Sequence, residues 1–131
     1  MTPLSVAGRA TDFVTMNDQF ARKPYCIYYA DEWFHEEGDY AAMAIVKHDI
    51  CKDERTYFYR KGCYPSEPRF IDSAESHLEE DGTLVFTLTD GNTKTSSLVM
   101  LNASIMEEIR RIEMPVGIGF TTHGQFYHDM I

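Results

Sequence analysis

Apolar side chains recur at Phe13, Met16 and Phe20, a spacing of three and four that predicts a helix over Thr11–Lys23. Thr11 or Asp12 stands at the N-cap position, Arg22 and Lys23 occupy the last turn, and Pro24 follows. From Tyr25 the period changes. Residues 25–30 and 40–46 are continuous runs of β-favouring or small apolar residues, the pattern of strands covered on both faces. Thr56 to Arg60 reads as a third strand, joined to the second through the polar turn Lys52-Asp53-Glu54, with Gly62 and Pro65 closing it.

Residues 70–80 fit two periods, because Phe70, Ala74 and Leu78 share a face in a helix and in a strand. We assign a strand: Ser73 and Ser76 would sit inside the helix, acids would crowd its C-terminal end, and Asp81-Gly82 is a hairpin turn signal. Residues 83–89 alternate, placing Leu84, Phe86 and Leu88 inward, and Asp90-Gly91-Asn92 turns the chain into Ser97 to Leu101. Ser104 and Glu107 have capping-box spacing, and Ile105, Ile109 and Ile112 line one face of a second helix ending before Pro115. At about nine residues that helix is marginal alone and has to dock through its isoleucines. Residues 116–120, with 125–128, supply a final strand or two. No internal repeat or linker is evident.

The expected architecture is therefore a single α+β domain over residues 1–131, with a mainly antiparallel sheet of five to seven strands carrying an N-terminal helix and a short C-terminal helix. A chain of 131 residues with 44% hydrophobic and 25% charged residues is long enough to bury its own core. Disorder is excluded.

Charge sharpens this picture. The formal charge of −9 is concentrated in Asp31–Asp39 and Asp72–Asp90, neither of which contains Lys or Arg. Wrapping nucleic acid requires the opposite surplus, and an anionic membrane would repel this one. Three cysteines, Cys26, Cys51 and Cys63, are an odd number, and the first eleven residues lack the apolar core of a secretory signal. The expectation is a cytoplasmic protein with free thiols. No run approaches the ~20 apolar residues of a transmembrane helix.

The most distinctive segment interleaves carboxylates with the single Trp: Asp31, Glu32, Trp33, Phe34, Glu36, Glu37, Asp39 and Tyr40. Rings as anchors beside an acidic rim suit docking on a basic protein. The competing interpretation places Trp33 and Phe34 in the core with the acids solvated. Metal spacing is poor: if His48 and Cys51 share one strand they point to opposite faces, Cys63 is eleven residues or more further on, and His123 and His128 form no chelating pair on a strand or a helix. Arg60 and Lys61 stand near Cys63, where cations can activate a thiol, but no His is adjacent. Gly117-Ile118-Gly119 follows a helix pattern instead of preceding one and is no dinucleotide fingerprint.

These features favour a small acidic protein acting by noncovalent binding, an inhibitor, immunity-type or adaptor protein docking on a nuclease or other nucleic-acid-binding partner, without catalysis, metal or cofactor. The alternative is a small-molecule-binding or enzymatic α+β domain with a cavity lined by Tyr25, Tyr28, Tyr29, Tyr57 and Tyr59.

Overall fold

The computed structural model describes residues 9–127. Its strands form two antiparallel sheets. Sheet A is a four-stranded meander of β1 (Ala10–Thr15), β2 (Ile27–Trp33), β3 (Ala44–Asp49) and β4 (Glu54–Tyr59), paired in that order. Sheet B contains β5 (Cys63–Pro65), β6 (Arg69–Asp72), β7 (Gly82–Asp90), β8 (Thr95–Asn102) and β9 (Glu108–Glu113). Both β5 and β6 pair with β7, β5 at its C-terminal end and β6 at its N-terminal end. They act as one strand interrupted at Ser66-Glu67-Pro68, so sheet B is a second four-stranded meander. Ser66 maintains the ladder across the gap by donating its N–H to the Thr87 carbonyl while its Oγ accepts from the Thr87 N–H.

The core lies between the sheets. One face of sheet A presents Ile27, Tyr29, Ile45 and Phe58, and the alternation read in β7 turns Leu84, Phe86 and Leu88 toward them. Phe58 meets Phe86 at a ring separation of 5.5 Å and Tyr29 meets Phe70 at the same distance. The Tyr29 hydroxyl donates to the Ala103 carbonyl at 2.9 Å, which satisfies the one polar atom that this ring brings inside.

The α+β expectation is overturned: among the described residues strands account for 46% and helix for 3%. In the Thr11–Lys23 segment, residues 10–15 instead extend the β2 ladder, and only one 3-10 turn (Asp18–Phe20) follows. Three apolar residues were too few to outweigh edge pairing by a Thr- and Val-containing segment. The turn is capped by Asn17, not Thr11 or Asp12; its buried side chain accepts from Gln19 N–H and donates to Ser76 Oγ at 2.7 Å. The second expected helix is also a strand. Asn102 Oδ1 accepts from the N–H groups of Ser104 and Ile105, the chain reverses with Met106 at φ 59°, and β9 returns along β8. Ile105, Ile109 and Ile112 consequently remain exposed instead of docking on the sheet as one helical face. A short helix had no apolar surface left to cover, whereas β8 offered an open edge.

The strand expected over 70–80 stops at Asp72, and residues 73–81 form a loop in which Asp81 Oδ2 accepts from His77 and Leu78 N–H. Residues 116–120 do not pair as a strand, and the 125–128 expectation ends on His128, outside the described residues. The two meanders repeat one topology, although no sequence repeat announces it.

Candidate functional site

The interruption between β5 and β6 has a sequence cause. Pro65 and Pro68 bracket Ser66 and Glu67, and a proline cannot donate to the ladder, so the strand bulges there and turns Glu67 out of it. β1 is irregular too: its pairing shifts between Asp12 and Thr15, where Phe13 adopts φ 54°. These two breaks lie on the first strands of their meanders, and the segment after β9 crosses both.

That segment is tied down stepwise. The Ile118 N–H donates to Ser96 Oγ at 2.8 Å and its carbonyl accepts from Ser96 and Thr89 hydroxyls. Further on, the Gly124 N–H donates to Glu67 Oε2 at 3.0 Å, and Arg69 Nε donates to the Gly124 carbonyl. Glu67 and Arg69 thereby hold both backbone polar groups of one residue, Gly124. The residue before it, His123, is held with Nδ1 3.4 Å from Glu67 Oε2, and its ring meets Phe13 edge-on at 5.8 Å. A carboxylate facing Nδ1 favours the tautomer with its proton on that atom, leaving the lone pair of Nε2 available. His123 is 78% exposed while the Glu67 carboxylate is nearly buried, so the imidazole projects from a fixed anionic base.

Two further carboxyl groups lie near this base. Asp12 and Asp31 occupy the same rung of the β1–β2 ladder. Asp31 is fully buried, and neither carboxyl oxygen has a hydrogen-bond partner among the described residues. Burial, followed by the charges of Glu67 and Asp12, pushes its pKa up to about 9, so Asp31 is protonated at neutral pH. Beside the Glu67–Gly124 contact a cavity of about 210 Å³ is walled by Ile71, Val85, Phe86, Leu98 and Phe126. The arrangement is a projecting imidazole on a carboxylate, next to an apolar hollow.

The eight residues expected to contact a partner do not form one surface. Asp31 and Glu32 are buried. Glu32 faces the opposite side of sheet A from Asp31, with His35 Nδ1 at 3.1 Å and Arg9 at 3.7 Å. Glu36 accepts from the Tyr59 hydroxyl at 2.7 Å. Trp33 stacks on Tyr40 and packs against Phe120, and Phe34 lies edge-on to Tyr40. Glu37, Asp39 and Tyr40 are exposed.

The other candidates also find places. Cys26 and Cys51 form a disulfide, correcting the expectation of free thiols. Cys63 is free and buried, and burial with the Asp90 carboxylate pushes its thiol above the ordinary range, outweighing Arg111 and Arg60. His48 has Tyr28 Oη at 3.0 Å from Nδ1 and Asp53 Oδ1 at 3.3 Å from Nε2. The five tyrosines line no common cavity: Tyr29 faces the inter-sheet core, whereas Tyr28 and Tyr57 lie on the other face of sheet A. The sequence reading passed over Glu67. Its signal was a carboxylate set between two prolines at a strand end.

Two consecutive four-stranded meanders define a β-propeller-like class of structure. The cobalt-substituted apocarotenoid oxygenase (ACO) of Synechocystis shares the fold at a TM-score of 0.82, with 24% identity over 89% of this chain and 25% of that one. Pseudomonas brassicacearum lignostilbene dioxygenase does so at 0.76, with 19% identity, over 86% of this chain and 26% of that one. The family model described as retinal pigment epithelial membrane protein (RPE65) matches residues 2–128, and the chain belongs to this family. It is 30% identical over 111 residues to the human mitochondrial carotenoid-cleaving dioxygenase, covering 83% of this chain and 18% of that protein. Its identity to chloroplastic carotenoid cleavage dioxygenase 8 of Arabidopsis thaliana is 28%, over 89% of this chain and 20% of that protein.

The chain thus spans about a fifth of the curated relatives it matches. Membership of this enzyme family overturns the inhibitor, immunity or adaptor interpretation and fits the enzymatic alternative better. The cytoplasmic expectation gains no support, since those relatives are named as mitochondrial or chloroplastic. Among the described residues no helix is long and apolar enough to cross a membrane.

Proposed function

We propose that this chain is a metal-holding part of an oxidative cleavage enzyme acting on an extended apolar substrate of the carotenoid class, with His123 as a metal donor and Glu67 as the residue that orients it. The observation that carries this reading is the His123–Glu67 pair, fixed by the double grip of Glu67 and Arg69 on Gly124. A histidine whose far nitrogen faces a carboxylate is the usual arrangement of a metal-bound imidazole, because the carboxylate sets the tautomer and raises ligand basicity.

One relative of the same fold is described as cobalt-substituted, which implies a divalent metal in that protein. The residues here fit such an ion: a projecting imidazole, a nearly buried anion behind it and Asp12 in the same neighbourhood. His123 is one donor of a set, and a complete coordination sphere needs donors beyond those that residues 9–127 bring together around it. When bound, the metal would supply the activation of dioxygen that cleaving a carbon–carbon double bond to two carbonyls requires. The chain's own residues orient the donor and, through the apolar cavity beside it, accommodate a hydrocarbon segment of substrate while excluding water.

The test is a Co²⁺ titration of the isotopically labelled chain followed by NMR. Paramagnetic broadening should begin at His123, Gly124 and Phe13 and disappear from them in His123→Ala. Broadening that ignores this segment, or persists there in the variant, would rule the assignment out.

A further inference from the structure

At the end of β2 remote from Trp33, a second set of metal-binding atoms converges. Cys26 precedes β2, Asp49 ends β3 and Cys51 lies in the following turn; one ligand atom from each falls within 4.8 Å of the others. In this structure the two sulfurs are joined as a disulfide. We propose that the reduced pair, with Asp49, forms a thiolate–carboxylate site for Zn²⁺, and that disulfide and zinc complex are alternative states of the same locus.

The backbone holds these donors together independently of the sulfur–sulfur bond. Ile27 and Asp49 are register partners in the β2–β3 ladder, and the Ile50 N–H donates to the Cys26 carbonyl at 2.8 Å. Asp49 Oδ1 accepts from Cys51 and Lys52 N–H at 3.1 Å each, which fixes the carboxylate above the turn that carries Cys51. Across from it, Glu79 Oε1 accepts from the Cys26 and Ile27 N–H groups at 2.7 and 3.0 Å, anchoring the start of β2. Opening the disulfide therefore frees two thiols on a clamped backbone. Their Cα atoms are 5.3 Å apart, and two sulfurs bound tetrahedrally to one zinc need a separation of about 3.8 Å, which side-chain rotation alone can supply.

The site also has room and the right chemistry. A cavity of about 260 Å³ opens on Cys26, Asp49 and Cys51, with Glu79 and Glu80 on its wall, leaving space for the ion and a water as fourth ligand. Two thiolates select a soft or borderline cation over Mg²⁺ or Ca²⁺. The competing cation is Lys52, whose Nζ lies 3.4 Å from Asp49 Oδ2 on a side chain that is 69% exposed and free to swing away.

The chemistry balances in two steps. A dithiol reductant transfers two electrons and two protons to the disulfide, giving two thiols and becoming a disulfide itself. Zinc then displaces both thiol protons as the two Zn–S bonds form. In vitro a phosphine serves as reductant, leaving as its oxide with oxygen taken from water.

The experiment uses the 131-residue chain, oxidised or phosphine-reduced, with Co²⁺ as spectroscopic probe and Zn²⁺ as competitor. The reduced chain should develop a sulfur-to-cobalt charge-transfer band saturating at one equivalent and erased by Zn²⁺, and the oxidised chain should develop none. Cys26→Ser or Cys51→Ser should abolish the band, Asp49→Asn should weaken affinity about tenfold or more, and Cys63→Ser should leave it unchanged. No band in the reduced chain overturns the proposal, as does a band that survives Cys51→Ser or depends on Cys63. An amide NMR spectrum of the reduced chain accompanies the titration, and collapse of its dispersion on reduction would equally overturn a site that requires the folded hairpin.

Discussion

Asp12 and Asp31 stand at one rung of the β1–β2 ladder, and only Asp12 reaches solvent. Asp31 continues across the sheet in a row with Ile45 and Phe58, so its carboxyl enters the apolar layer between the sheets. Its raised pKa makes stability depend on pH. The folded state binds this proton up to pH about 9, whereas the unfolded chain releases it near the ordinary carboxylate value of about 4. Stability from this group is thus complete below pH 4 and is lost as pH rises toward 9, by up to about 1.4 kcal/mol per pH unit. Urea unfolding across that range should show the decline, and Asp31→Asn, which cannot ionise, should flatten it.

Phe58 against Phe86, both about 2% exposed, joins the two meanders. Removing either ring leaves a cavity at the centre of the core, and Phe86→Ala is expected to cost about 3–5 kcal/mol. A double-mutant cycle with Phe58→Ala should reveal a coupling of about 0.5–1.5 kcal/mol beyond the separate losses, as for an edge-on aromatic pair. Additive effects would mean that the sheets do not share this contact.

Gly82 leaves no room for a side chain in the β6–β7 hairpin. A Cβ there would collide with the Ile71 carbonyl oxygen and the Phe70 ring. Backbone cannot yield as a flexible side chain would, so Gly82→Ala should destabilise by about 1–3 kcal/mol. Gly119→Ala, where nothing lies within 4 Å, should change the melting midpoint little.

The strands were legible where burial imposed a pattern. Alternation in 83–89 identified the inward residues of β7, and the polar turn after Asp49 correctly joined β3 to β4. The helices were misread because helical spacing at Phe13, Met16 and Phe20, or at Ile105, Ile109 and Ile112, carries no information about what lies opposite. In both places an open sheet edge captured the segment. The site was less visible. His123 was weighed as a chelating pair with His128, whereas its physical partner is Glu67, 56 positions earlier and brought beside it by the returning chain. The aromatic and acidic segment drew attention through composition, yet its first two acids are interior.

The proposed metal-donor role of His123 rests on Glu67 facing its Nδ1 at 3.4 Å, and the most direct measurement of that arrangement is the imidazole tautomer. Long-range ¹⁵N–¹H correlation of His123, at a pH where the ring is neutral, should show the proton on Nδ1, with Glu67→Ala shifting the population toward Nε2–H. A His123 with its proton on Nε2 in the unaltered chain, indifferent to the loss of Glu67, would contradict the account.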